Sequence, residues 1–566
     1  MPVHPDLILM NGEILTVDSD FSSAQALALT GGVVTAVGGT AEIRALAGPR
    51  TETVDLDGRT ALPGINDSHL HGCAFGLTRP PLALDVGFPT VHAIGDIQTA
   101  VKNATAHTPP GAWIRGAGWD PGYLEECAAG GRMPDRRDLD VVAPDHPVYL
   151  QDFSGHLTWA NTEALRVAGV TAGTTAPEGG VIHTDGIGEP TGLLAEAAQH
   201  LVQRHLPPYG REDIEKAIRN ATAILHREGI TSYTEPGLGP GGDGLFGGAA
   251  GQLTLDVYRD LARTGGLRAR VSVLLLLSGI GGSAADIERG LRDPWTQDGV
   301  DPRLLRVLGV KIFADGIPPN KTAWVRGAYA GGGFGCLCVH GAADALRTRE
   351  LTEMVRLAHD AGHQIGVHVT GDRAIDAVVD AFEAAQVEHP RDDPRHYAIH
   401  ADLLGPQSME KLAAHGFGAN MNPAIKWTIA DMMAEMLGDE RAAYQWPVRS
   451  ALAAGIGVTS SSDAPVTFPN WRQGIAAMLL RESKASGRVY GPEERVGLAD
   501  AVRAYTTNAA RQDFAEDWKG SLEPGKAADV TVLDTTLTTA DPHDLPDTPV
   551  AMTIFGGDIV HRTAAL

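Results

Sequence analysis

The chain has 566 residues and a formal net charge of −24 at pH 7, from 46 Lys and Arg against 70 Asp and Glu. Phosphate binding needs clustered basic side chains, so this acidity opposes both a nucleic-acid partner and an anionic membrane face. With 43% apolar residues, 20% charged ones and four cysteines (Cys73, Cys127, Cys336, Cys338), the composition describes a globular protein of roughly two to four folding units. It has no disulfide scaffold and suits a reducing compartment.

The first residues, Met1 to Asp6, lack the basic start and apolar run of a signal peptide, so a cytoplasmic protein is expected. The longest apolar run, Val271 to Leu277, is far shorter than the ~20 residues that span a bilayer. Residues 7–60 hold short β-rich runs (Leu7–Met10, Glu13–Val17, Val33–Val37) divided by Asn11-Gly12 and Gly31-Gly32, which are hairpin signals. The far end resumes this pattern with Asp529–Asp534 and Met552–Phe555 before Gly556-Gly557. Neither end has strands enough to be stable alone, so residues 1–60 and 516–566 are expected to form one small β-sandwich together.

Between the ends, strands and amphipathic helices alternate. Residues 213–228 place Ile214, Ala217, Ile218, Ala221 and Leu225 at helical spacing before Gly229, a terminating glycine. Residues 350–361 repeat this before Gly362, and residues 372–386 carry Ile375, Val378, Val379 and Phe382 on one face. The strand candidates are Ala61–Asn66, Ile230–Tyr233, Val271–Leu277, Leu308–Phe313, Ile365–Val369, Tyr397–His400, Gly416–Asn420 and Ile456–Ser460. This alternation predicts an α/β fold, a (β/α)8 TIM-like barrel over residues 61–515. Leu62 to Asp463 covers about 401 residues against the ~250 of a plain barrel. An insertion at about 72–229, with strands of its own at Trp113–Ala117 and Val148–Gln151, leaves about 243 and reconciles the length.

The sharpest chemical feature is Asn66-Asp67-Ser68-His69-Leu70-His71-Gly72. Side chains two apart on extended backbone point the same way, so His69 and His71 can hold one divalent metal. H-x-H also arises by chance in a chain with 21 His, and two ordinary loop residues are the competing reading. Its company favours the ligands. Lys311, His368, His400 and Asp463 each sit at or near the C-terminal end of a different expected strand, the face on which barrel active sites are built.

In these segments the chain resembles the amidohydrolase superfamily of metal-dependent hydrolases, within it the branch of N-substituted formamide deformylases. The resemblance runs through Leu62–His71, Gln151–Asn161, Gly188–Gly192, Val310–Gly316, His368–Asp372 and Ser462–Pro465, and so covers nearly the whole chain. It implies that His69, His71, His368, His400 and Asp463 hold one or two divalent ions, zinc first, with Mn, Fe or Co as alternatives. Lys311, if carboxylated, would bridge two ions as a carbamate. Asp463 would also take a proton from the attacking water and pass it to the leaving nitrogen. Deaminases of the superfamily carry a Glu three residues beyond the fifth-strand His, and here that position is Gly371, which points toward amide or formamide hydrolysis. Cyclic-amide hydrolysis, decarboxylation on the same centre, or a non-catalytic binding or assembly role on a barrel scaffold are the alternatives.

A small-molecule substrate follows from this reading, and a homo-oligomer is compatible with it. His156, Trp159 and Asn161 form a polar–aromatic cluster in the insertion and are candidate substrate contacts, as are Trp119, Asp315 and Lys321. For the two tryptophans and Asn161, packing or capping is the rival role. Gly237–Gly242 matches G-x-G-x-x-G, but no helix start follows, so a loop or lid is expected there. Gly520–Ala527 lacks the Ser or Thr of a phosphate loop, Cys336-Leu337-Cys338 has no second pair to complete a metal site, and Ser154 has no nucleophile-elbow setting.

Overall fold

The computed structural model describes residues 4–87, 90–128, 131–153, 155, 157–177, 180–241, 251–292 and 299–566. His156 and Ser154, and residues 242–250 of the expected loop or lid, lie outside the described residues. Among the described residues no helix is long and apolar enough to cross a membrane.

The centre of the chain is an eight-stranded sheet of β1 (Ile65–Asp67), β2 (Ile230–Leu238), β3 (Arg270–Leu276), β4 (Leu305–Phe313), β5 (Gln364–Val369), β6 (Tyr397–His400), β7 (Gly418–Met421) and β8 (Gly457–Ser460). Each strand pairs in parallel with the next in sequence. Buried on both faces, such strands read as continuous apolar runs, which is why they stand out in the sequence. Helices Asp344–Asp360, Asp372–Glu388 and Pro406–Ala414 fill connections between β4 and β7. The first of them ends before Gly362, whose φ of 85° is the left-handed conformation that glycine adopts without strain.

The barrel is nearly closed. No ladder joins β8 to β1 among the described residues; loop and side-chain bonds hold that seam instead. Ser68 Oγ donates to the Ser460 carbonyl at 2.9 Å, and the N–H of Asp463 donates to the His69 carbonyl at 2.9 Å. The N–H of His71 reaches the Ala464 carbonyl, also at 2.9 Å, and the N–H of Ser462 meets both Asp67 carboxylate oxygens at 3.2 Å.

The first strand differs from its expected span, Ala61–Asn66. Thr60–Pro63 pairs antiparallel with Val530–Leu533 and parallel with Glu13–Leu15, outside the barrel, and only Ile65–Asp67 enters it. Pro63 has no N–H for a ladder. Gly64 turns the chain where a Cβ would lie 2.2 Å from Thr231 Oγ1, so no other residue fits without displacement.

Strands from both chain ends share sheets. One four-stranded sheet contains Leu7–Met10, Ala26–Thr30, Val33–Gly38 and Glu52–Asp55. A six-stranded sheet joins Glu13–Leu15, Ser23–Ala24 and Thr60–Pro63 to Val530–Leu533, Val550–Phe555 and Asp558–Arg562. Leu9, Leu27 and Val54 of the first pack in one core with Ile14, Val530 and Met552 of the second. Residues 72–221 belong to a separate compact unit with a mixed six-stranded sheet and its own core, including Val86, Ile97, Trp119 and Trp159.

At the N-terminal ends of β5 and β6, two buried imidazoles are fixed by a one-way relay. Ile365 N–H donates to His396 Nδ1 at 3.1 Å, so His396 Nε2–H donates to His359 Nδ1 at 2.8 Å, and His359 Nε2–H donates to the His389 carbonyl at 2.7 Å. The His396 ring sits 5.3 Å from both Phe382 and Phe417. Burial, then the neighbouring charges, hold His396 well below the usual imidazole range and lower His359 also. Folded, these rings bind fewer protons than unfolded once the pH drops below about 6.5, so stability rises with pH across that window and is lost as pH falls. The melting temperature should therefore decline from pH 6.5 to 5. The unfolding free energy of His396→Gln, which can still accept from Ile365 and donate to His359, should fall less steeply with it, by at most about 1.4 kcal/mol per pH unit for the ring removed. Melts at three pH values check this; parallel curves for parent and variant would exonerate the ring.

Candidate metal centre

Beyond β1 the chain bends at Ser68 and His69, rather than staying extended as expected, and turns into a helix at Gly72; His69 and His71 are nevertheless neighbours. Their ring centroids are 5.3 Å apart. His400 is the last residue of β6, His368 the penultimate residue of β5, Lys311 lies two residues before the end of β4, and Asp463 follows β8 by three. All six are buried.

His69, His71 and Asp463 meet at the seam. Asp463 Oδ1 lies 3.3 Å from His69 Nε2 and 3.5 Å from His71 Nε2, so one carboxylate oxygen faces two imidazoles. The His400 ring is 5.2 Å from His69 and 4.6 Å from His368, which extends the cluster across the barrel mouth. Donor atoms of His69, His400 and Asp463 lie within 4.8 Å of one another. Lys311 Nζ is 5.0 Å from the Phe313 ring, which in turn lies 5.2 Å from the ring of His368.

Two of these side chains sit on strained backbone. His400 has φ 71° and Asp463 φ 57°, a region that side-chain-bearing residues avoid. Trp446 Nε1 holds the His400 carbonyl at 2.8 Å, and Ala401 N–H donates to the Val369 carbonyl at 3.0 Å. Left-handed backbone kept in place by such bonds is characteristic of sites where side-chain direction matters more than local comfort.

Burial sets the charge states. It holds His69 and His368 well below the usual imidazole range, with the Lys311 charge adding to both, and brings His400 down to about 4. The same desolvation lowers Lys311 to about 7. Burial pushes the Asp463 carboxyl up, but hydrogen bonds from His69 and His71 outweigh it and keep the group well below the ordinary carboxylate range. Neutral imidazoles with an ionised carboxylate are the forms in which these groups bind a cation. His69 Nδ1 is also buried without a hydrogen-bond partner, so protein bonds leave this donor set unsatisfied. A divalent ion fits it by donor type and spacing.

The other described positions named from the sequence each have protein partners. Asp315 is buried and accepts the N–H groups of Trp324 (2.9 Å), Thr370 (3.0 Å) and Gly371 (2.9 Å), which ties the loops after β4 and β5 together. Lys321 Nζ donates to the Ala330 carbonyl at 2.8 Å on an exposed loop. In the separate unit, Trp119 and Trp159 pack edge to face at 5.8 Å, their indole N–H groups on the Leu150 and Asp135 carbonyls. Asn161 caps the helix Thr162–Ala168, accepts from Val148 N–H, and donates to the Ala143 and His146 carbonyls.

Sequence reasoning passed over two neighbours of the imidazoles. Asn422 Oδ1 is 2.8 Å from His400 Nδ1. Glu235 Oε1 is 3.9 Å from His71 Nδ1, and its other oxygen accepts the Tyr258 hydroxyl at 2.9 Å. Both were findable by the rule that exposed the ligands: Glu235 interrupts a fully buried strand, and Asn422 stands just past the end of β7.

A family model described as "Amidohydrolase family" matches residues 52–561. The chain is 29% identical over 534 residues to "Protein LONG AFTER FAR-RED 3" of Arabidopsis thaliana, covering 94% of this chain and 87% of that one. It is 29% identical over 537 residues to the N-substituted formamide deformylase of Arthrobacter pascens, covering 94% and 93%. Among solved structures, an uncharacterized metal-dependent hydrolase from Pyrococcus furiosus superposes with a TM-score of 0.69 at 24% identity, over 95% of this chain and 99% of that one.

Protein purified after expression with added Zn, Mn, Fe or Co should carry at least one equivalent of divalent metal by elemental analysis. His69→Ala should lose most of it. A parent chain with less than one equivalent would remove the metal centre.

Proposed function

The chain belongs to the amidohydrolase family, hydrolases of carbon–nitrogen bonds, and from that premise we propose that it cleaves an amide or formamide C–N bond with Asp463 as the base. The observation that carries this reading is the placing of Asp463: an ionised carboxylate against two imidazoles, at the barrel end where such sites form. His69, His71, His368 and His400 would hold one or two ions, zinc first by donor type, with Mn, Fe or Co as alternatives. A bound divalent ion supplies Lewis acidity and lowers the pKa of water toward neutrality.

The chain's own groups supply the proton path. Asp463 accepts a proton from the attacking water and returns it to the amide nitrogen, which leaves poorly unless protonated. Lys311, lowered to about 7, carries an unprotonated amine in a substantial share of molecules at neutral pH. That amine can add CO2 and lose a proton to form a carbamate, whose two oxygens could bridge two ions. Gly371 supports amide over ring-deamination chemistry, because a Cβ there would lie 2.2 Å from the Trp324 carbonyl and leaves no room for an acidic side chain. The proposal includes a small-molecule substrate, a barrel over about 64–515 interrupted at about 72–229, and a β-sandwich from about 1–63 and 516–566.

The test is a panel of N-substituted formamides, acylated amines and cyclic amides against metal-loaded protein, scoring release of amine. Turnover of formamides or acylated amines is expected; inertness across the panel would sink the reading. Asp463→Asn should retain metal on the imidazoles and lose about 10²–10⁴-fold in kcat. Undiminished turnover would remove Asp463 as the base.

A further inference from the structure

His400 Nδ1 begins an unbroken line of buried hydrogen bonds across the barrel seam. It meets Asn422 Oδ1 at 2.8 Å, and Asn422 Nδ2 meets Ser461 Oγ at 2.9 Å. Ser461 Oγ meets Asn420 Oδ1 at 3.0 Å, and Asn420 Nδ2 meets Ser68 Oγ at 2.8 Å. Ser68 Oγ ends the line on the Ser460 carbonyl at 2.9 Å. Every side chain in it is buried.

The direction of this line follows from its last member. A backbone carbonyl can only accept, and a serine hydroxyl has one proton to give. Ser68 must therefore donate to Ser460 and accept from Asn420, which turns the Asn420 amide so that its oxygen faces Ser461. Ser461 then donates to Asn420 and accepts from Asn422, so the Asn422 oxygen faces His400. A second branch agrees. Gln512 Nε2 donates to the Ser68 carbonyl at 3.4 Å, so Gln512 Oε1 accepts the Thr459 hydroxyl at 2.8 Å, and Thr459 Oγ1 accepts the other Asn420 N–H at 3.1 Å. Asn422 Nδ2 also reaches the Ser461 carbonyl at 3.4 Å, which fixes the same amide orientation independently.

We propose that the backbone carbonyls of Ser460 and Ser68 set the tautomer of His400 through Asn420, Ser461 and Asn422, so that Nδ1 carries the proton and Nε2 presents its lone pair. These are positioning residues that act through the ring. Partners of this kind orient ligating imidazoles, and losing one costs about 10–100-fold in metal affinity. The inference rests on the reading of His400 as a metal ligand, but its tautomer can be measured without metal.

The full chain, labelled with ring-¹⁵N histidine and stripped with chelator, is compared with His400→Gln to assign the His400 nitrogens. A protonated Nδ1 with a bare Nε2 is expected, and Asn422→Leu should lose that preference. Co(II) affinity by dye competition should fall about 10–100-fold in Asn422→Leu, yet stay within about threefold of the parent in Asn422→Asp, which keeps the acceptor. If Asn422→Leu does not fold, Asn422→Ala replaces it, with loss of the tautomer preference expected. A proton on Nε2 in the stripped parent, or unchanged Co(II) affinity in Asn422→Leu, would overturn the proposal. A parent that shows the Nδ1 tautomer but binds no Co(II) would support this inference while refuting the function proposed above.

Discussion

The N–H of Asp463 on the His69 carbonyl is the bond on which the rest of this structure turns. Among the described residues the eight-stranded sheet has no ladder between its first and last strands, so loop and side-chain bonds join the ends of β1 and β8. Those bonds also fix where the loop after β8 carries its carboxylate. With Asp463 N–H on His69 and His71 N–H on Ala464, the Asp463 side chain has little choice but to face the two imidazoles. Closing the barrel and assembling the candidate site are therefore one event. The left-handed backbone at His400 and Asp463, worth about 1–3 kcal/mol of strain each, is a local cost that this closure sustains.

Desolvation then sorts the carboxylates at this end of the barrel by their partners. Asp67, Asp315 and Asp463 are all buried. Burial lifts Asp67 and Asp315 to about 7 even though each accepts backbone N–H groups, and both spend their oxygens on holding loops in place. Asp463 differs in facing two imidazoles, and it alone of the three is held well below the ordinary range. The distinction between a scaffold carboxylate and a base is thus a matter of which donors surround it.

The sequence carried the barrel because buried parallel strands are long apolar runs, and it carried the ligands because a polar residue at the end of such a run has few structural reasons to be there. It carried less where the same residue type serves two purposes. Pro63-Gly64 lies inside an apolar run, so the passage from the terminal sheet to the barrel looks in sequence like one strand. Trp119, Trp159 and Asn161 form the kind of polar–aromatic cluster that also lines binding sites; only their hydrogen bonds reveal that all three are engaged within their own unit. Asn420 and Asn422, two apart at the end of β7, follow the rule that singled out His69 and His71. Their amides carry no charge and no metal affinity, so the pattern is silent in the sequence.

Amides and hydroxyls have what the ionisable groups lack, a fixed sense of donation once one end is anchored. In a wet cleft, water would let each side chain turn independently, and a ring could exchange tautomers at little cost. Between β1, β7 and β8 the side chains are buried, and a reversed link would leave a polar group unpaired, at about 1–3 kcal/mol each. Reversing the His400 ring means either breaking one link or reversing every link as far as a carbonyl that cannot donate, so a buried polar group is left unpaired wherever the line breaks. The lone pair of Nε2 is consequently in place before any ligand arrives, and its orientation is settled when the seam closes during folding.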